Sequence, residues 1–437
     1  MVIQVENKQE LNKVREFEKE YFPCGKEWWC IIGFFTTVED NKKWCFKVDL
    51  SQSMGRDKTI WSFNTITFYN LENKRSYNYI IGTDTSKLES KKEKFHIGYD
   101  KTYVEGTYPD YKMKFVDPRN EIDLDITYHA ESIPYWVAEQ ITDGWLPWGL
   151  GYLRYGYIPK NKIKGKFNIK GKKFTIKGEG YFDHVWGDFA FYYLSSAKKS
   201  TRKTLSTYGN LIGSWITSQS LKLPFSIELS TNNRPPGYDW AWALLDNGWN
   251  IFLGNLTFFI AEGLGTGQLI LSKDGITYDE FSDIRFKYKK MKYLKEFDFY
   301  YPTEMVLDAK KGKEKLHLHI KDVIESRYDI TDAPNHEDIF GFLISQVPST
   351  ISGYYLNGNE KTDINGISWL ETYRLLKTSG HNSFKINFNV SKNRFAFFSS
   401  LDSIYFKKKM DFTFQLLPKL KLKAHFKRLN KAPLKKE

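Results

Sequence analysis

Strict alternation is the feature that most constrains what this chain can become. Leu124, Ile126 and Tyr128 alternate with Asp123, Asp125 and Thr127. Phe167 and Ile169 are followed by a turn at Gly171, and the pattern resumes at Phe174 and Ile176. Leu316, Leu318 and Ile320 alternate with His317 and His319, and Phe384, Ile386, Phe388 and Val390 lead through Ser391 to Asn393 toward Phe395. A period of two places successive side chains on opposite faces of a pleated strand. Turn residues between such runs make neighbouring strands antiparallel. Such runs occur in both halves with few helical patterns between them, so barrels or sandwiches are expected and a parallel α/β sheet is not.

A length of 437 residues suits two β domains and needs no covalent staples. The three cysteines, Cys24, Cys30 and Cys45, exclude a disulfide scaffold. Residues 8–20 are rich in helix formers and precede Pro23, which predicts a short helix. Residues 196–223 interrupt the strands: Leu205, Tyr208, Ile212 and Trp215 fall at helical spacing after Lys198, Lys199, Arg202 and Lys203. That stretch reads as a surface helix or a lid. The first twenty-one residues lack the apolar core of a secretory signal, and no apolar run is long enough to span a bilayer as a helix. The expectation is a cytoplasmic protein, peripheral to a membrane at most.

The net charge of +13 invites a nucleic-acid partner, but its distribution argues against one. Eleven basic residues and only two acids, Asp411 and Glu437, lie from Lys407 onward, which leaves about +4 for the 406 residues before them. A basic end on an aromatic-rich body, with 33 Phe, 28 Tyr and 13 Trp, fits contact with an anionic membrane, or else simple solvation.

The densest chemistry is the string Gly178-Glu-Gly-Tyr-Phe-Asp-His-Val-Trp-Gly187. On a strand, Tyr181 and Asp183 share one face while His184 and Trp186 share the other. An Asp held by a Tyr in an apolar surround has its pKa raised, which suits a general acid. A buried structural hydrogen-bond knot is the competing reading.

This Gly-x-Gly-Tyr-x-Asp-His-x-Trp-Gly string resembles the signature of the lipocalin-like carotenoid 1,2-hydratase (hydroxyneurosporene synthase) superfamily, which includes kievitone hydratase-like proteins. Other stretches resemble its landmarks in the same order: Glu27-Trp28-Trp29 with Gly33, Tyr108-Pro109 with Phe115, Asp239-Trp240-Ala241-Trp242, Asp246-Asn247-Gly248, Tyr301-Pro302, and Gly366 through Glu371 and Thr372. The resemblance implies an all-β chain of two lipocalin-like antiparallel barrel or sandwich domains packed together. The residues themselves add a short N-terminal helix and a helical insertion between domains, where the family passes from its signature to the second domain in fewer residues. The implied boundaries are a helix at 1–20, a first domain at 21–195, a linker or lid at 196–235, a second domain at 236–417 and a basic tail at 418–437.

It also implies an apolar, isoprenoid- or lipid-like ligand in a cavity near the signature. In that reading Asp183 is the acid for a carbon–carbon double bond, Tyr181 orients it, and His184 shuttles a proton or anchors the turn. Trp186, Trp28, Trp29, Arg154, Tyr155, Trp240, Trp242 and Glu371 are the candidate ligand-binding residues. Arg154 lies in Tyr152-Leu-Arg-Tyr-Gly-Tyr157 and would meet an anionic head group or a surface acid. No cofactor motif is present, and His317 with His319 lacks a placed third ligand, so neither cofactor nor metal is expected. Two function classes remain open: a hydratase, cyclase or isomerase, and a non-catalytic lipid carrier.

Overall fold

In a computed structural model, the protein is described over residues 8–54, 58–84, 86–91, 94–148, 151–188, 197–218, 225–230, 237–256, 267–281, 283–294, 299–324, 328–332, 341–375, 382–403, 408–416 and 419–428. The described residues are overwhelmingly antiparallel strand. The chain divides into two compact units: residues 1–214 with 248–251 and 271–280, and the remainder.

In the first curled sheet, strands run in hydrogen-bonded order from Arg75–Asp84 through Ile60–Asn70 and Lys43–Met54 to Lys26–Thr37. That strand pairs with the distant Lys172–Asp188, and the order continues through Gly151–Ile169, Ile122–Ala130, Asp110–Asp117 and Thr102–Thr107. The second sheet repeats this plan. Its strand Gly237–Leu245 pairs with the distant Glu360–Leu375, flanked on one side by Asn250–Leu256 and Gly267–Ser272 and on the other by Gly341–Asn357 and Glu314–Asp322. In each sheet the first strand is closed by the last; Tyr108-Pro109 lies just before the strand Asp110–Asp117, whereas Tyr301-Pro302 lies inside the strand Phe299–Lys311.

The alternation in sequence becomes two faces of the first sheet. Its inner face is filled by side chains: Trp29, Ile31, Phe46, Val48, Phe68, Phe115, Leu124, Ile126, Phe167 and Phe182 are all buried together. The helix Lys8–Glu18 buries Val14 and Phe17, three residues apart on one helical face, and Phe17 joins this core. Phe17 meets Phe182 edge to face at 5.1 Å. Glycine in the signature permits close approach: a methyl group at Gly180 would overlap the Tyr128 hydroxyl and the Ile32 carbonyl.

Residues 197–218 are helical, as their spacing predicts, although the side chains of Leu205, Ile212 and Trp215 lie outside the described residues. The stretch read as a basic tail is a strand over Lys421–Arg428, at the end of a separate five-stranded sheet. Among the described residues no helix is long and apolar enough to cross a membrane.

Candidate functional site

Register assembles the site from five strands. Tyr157, Asp183, Cys30, Asp49 and Thr65 stand opposite one another across five neighbouring strands, and Tyr181, Ile32, Lys47 and Thr67 form the next row but one on the same face. Alternation therefore brings Tyr155, Tyr157, Tyr181 and Asp183 to one face of the sheet. The Tyr155 hydroxyl donates to Asp183 Oδ2 at 2.8 Å, and the Tyr155 and Tyr181 hydroxyls are 3.1 Å apart. The Cys30 amide donates to Asp183 Oδ1 at 3.1 Å. Asp183, Tyr157 and Tyr181 are buried, while Tyr155 keeps partial contact with solvent.

Burial is the main cause that pushes Asp183 up from 3.8 to about 8, and the nearby Asp49 carboxylate adds to it. The hydrogen bonds from Tyr155 and Tyr181 and the Lys47 ammonium act the other way without cancelling it. Desolvation likewise lifts the Tyr155 and Tyr181 phenols well above their ordinary range. At neutral pH the group is a protonated carboxyl in contact with protonated phenols. Such a group can give a proton to a weakly basic carbon and take one back from water.

Lys47 and Asp49 pair at 3.0 Å beside this group, and Thr65 donates to Asp49 at 3.3 Å. Sequence reasoning did not single out Lys47, Asp49, Cys30 or Tyr157. The signal for the first two was present: a Lys and an Asp two positions apart interrupt the apolar strand Lys43–Met54 on one face only.

His184 and Trp186 point to the opposite face, as period two requires, so the structure does not bring them to Asp183. His184 is completely buried. Its Nδ1 donates to the Phe17 carbonyl at 2.7 Å, one of the last carbonyls of the N-terminal helix, and its Nε2 lies 2.9 Å from Glu27 Oε1. Glu27 also accepts from the amides of Tyr21 at 2.7 Å and Phe22 at 2.9 Å, and from Gln52 Nε2 at 3.1 Å. His184 stacks on Trp29 at 4.6 Å, and Trp186 stacks on Tyr21 at 3.8 Å. Glu27, Trp29, His184 and Trp186 thus bind the end of the helix and the chain after it onto the sheet.

Arg154 lies on that same opposite face. Its guanidinium sits 4.5 Å from the Trp136 ring and 5.6 Å from the Trp145 ring, and Nη1 pairs with Glu16 at 2.9 Å. Lys203 of the insertion helix lies 3.4 Å over the same Trp145 ring. Trp28, by contrast, shares the face of Asp183 and packs against the cluster of Leu153 and Val185, as Leu146 and Tyr155 do.

Trp240, Trp242 and Glu371 belong to the second sheet. Trp240 stands opposite Glu371, and Trp242 opposite Trp369. The Tyr238 hydroxyl donates to Glu371 Oε1 at 2.5 Å. The next residues face the other way, where Thr372 donates to Asp239 at 3.1 Å and the Tyr288 hydroxyl donates to the same carboxylate. His317 and His319 each face a carboxylate of their own, Asp308 and Glu304, at 2.8 Å.

No protein-family model matches the chain, and no curated protein matches it in sequence. Solved structures do resemble it. A candidate AttH protein of Nitrosomonas europaea superposes with a TM-score of 0.54 at 12% identity, over 84% of this chain and 97% of its own. Kievitone hydratase of Nectria haematococca superposes with a TM-score of 0.53 at 13% identity, over 80% of this chain and 89% of its own. With its antiparallel sheets built twice on one plan, the chain has an all-β, two-domain lipocalin-like fold, the fold it shares with kievitone hydratase.

Proposed function

We propose that the protein binds an apolar, isoprenoid- or lipid-like molecule and acts on it as a hydratase, cyclase or isomerase, with Asp183 as the proton donor. The observation that carries this reading is the Asp183 carboxyl itself: buried, raised to about 8 and hydrogen-bonded by Tyr155. A fold shared with a hydratase supports the class of reaction.

In hydration, the Asp183 proton adds to one carbon of a double bond and leaves a cation on the other. The electron-rich ring faces of Tyr155 and Trp28 favour that cation. Water then attacks it, and the proton released returns to the Asp183 carboxylate, with Tyr155 orienting the acid throughout. In an isomerase the cation loses a proton to the Asp183 carboxylate; in a cyclase a second double bond attacks it, and the new cation then loses a proton to that carboxylate or takes up water, whose released proton returns there. Tyr155, with its partial exposure, marks the side from which a substrate would approach.

Native mass spectrometry of the purified protein tests the ligand class, since a retained apolar molecule identifies it directly. With that molecule or its relatives as substrate, Asp183→Asn is expected to keep binding and abolish turnover. Turnover of the variant at the wild-type rate would remove Asp183 as the acid. Retention of the ligand by the wild type with no chemical change would make the protein a carrier.

A further inference from the structure

The five-stranded sheet ends in Lys421–Arg428, whose outer edge has no neighbouring strand among the described residues. Period two divides this strand sharply. Leu422, Ala424 and Phe426 fall on one face, and Lys421, Lys423, His425 and Lys427 on the other. The apolar face continues inward by register: Leu422 stands opposite Phe414 and Phe414 opposite Phe397, while Ala424 stands opposite Phe412. The ring contacts agree, with Phe397 and Phe412 at 5.9 Å and Phe395 and Phe414 at 6.2 Å.

This apolar face is not buried at its edge. Leu420 at 69%, Phe426 at 68% and Leu422 at 66% are the three most exposed large hydrophobic side chains among the described residues. Water-facing apolar groups concentrated on one strand mark an interaction surface rather than ordinary scatter. The strand's charge decides between occupants. Antiparallel pairing of two copies along this edge would set lysines against lysines, and lysine-rich edges are the usual guard against such pairing. An anionic bilayer reverses that sign: apolar side chains enter the headgroup layer while long lysine side chains reach phosphate oxygens.

We propose that Lys421–Arg428 is a membrane-docking edge. Leu420, Leu422 and Phe426 enter the headgroup region of an anionic bilayer, and Lys419, Lys421, Lys423 and Lys427 contact its lipid phosphates. The docking surface is thus an amphipathic strand of a folded sheet, and it acts independently of the chemistry at Asp183.

The test is co-sedimentation of the full chain with mixed phosphatidylcholine–phosphatidylserine vesicles and with pure phosphatidylcholine vesicles. Wild type is expected to bind the mixed vesicles, to bind the neutral ones far less, and to be released by salt. Each Lys→Glu change at 421, 423 or 427 is expected to lower the partition by about fivefold or more. Leu422→Ser with Phe426→Ser is expected to weaken binding while the thermal midpoint stays near wild type, because both side chains are exposed. Asp183→Asn is expected to bind vesicles as wild type does, which separates this proposal from the catalytic one. Absence of wild-type binding to the mixed vesicles, or equal binding to both kinds, would overturn it. So would a dimer in light scattering that the Leu422→Ser, Phe426→Ser variant abolishes, since the surface would then belong to a second copy.

Discussion

The Tyr155 hydroxyl reaches Asp183 Oδ2 at 2.8 Å from the neighbouring strand, and it is the better exposed of the two residues. This contact sets the acid's orientation and joins it to the Tyr181 hydroxyl at 3.1 Å. The carboxyl it holds is protonated at neutral pH, so its consequences are visible in titration as well as in catalysis.

Stability carries the first consequence. Asp183 is raised from 3.8 to about 8 on folding, so the folded chain keeps a proton that the unfolded chain releases between those values. This group's contribution is therefore greatest at acid pH and is lost progressively as pH rises toward 8. Asp183→Asn removes the proton and should flatten that dependence. Urea denaturation at the lower and upper ends of the window is expected to show the variant gaining on the wild type as pH rises. Parallel curves would mean that Asp183 is ionised in the folded protein.

Tyr155→Phe tests the contact directly. The hydrogen bond from Tyr155 pulls the Asp183 pKa down against burial, so its loss should push the carboxyl higher still. The variant is expected to lose about 1 kcal/mol of stability, and the carboxyl titration observed by infrared spectroscopy should move upward. A downward or unchanged midpoint would show that Tyr155 is not bonded to the carboxylate form.

On the opposite face, His184 bridges the Phe17 carbonyl and Glu27. His184→Ala removes one of the four partners around buried Glu27 and frees a helix-end carbonyl, which should cost about 1–3 kcal/mol. Hydrogen exchange is expected to accelerate first in Lys8–Glu18 and in the segment to Lys26. Uniform acceleration across the sheet, with no priority for the helix, would contradict an anchoring role for this histidine.

Much of this was legible in the sequence for one physical reason: period two assigns faces without any tertiary knowledge. It separated Tyr181 and Asp183 from His184 and Trp186, and helix formers before Pro23 marked the helix found at Lys8–Glu18. Register was not legible. Cys30 stands across from Asp183 only because Lys26–Thr37 closes on the distant Lys172–Asp188, and Tyr155 stands across from Val185 because a bulge between Ile158 and Asn161 shifts the register of the adjoining strand. Lys47 and Asp49 reach the site through that same closure. Charge hid the strand Lys421–Arg428: its lysines read as a tail, although Leu422, Ala424 and Phe426 alternate with them.

The central claim is that Asp183 is a protonated acid in the folded protein, and infrared difference spectroscopy of wild type against Asp183→Asn measures it most directly. A carboxylic-acid band that is present at neutral pH, absent from the variant, and lost with a midpoint near 8 is the predicted result. A band already gone at neutral pH, with a midpoint near the ordinary 3.8, would contradict the account.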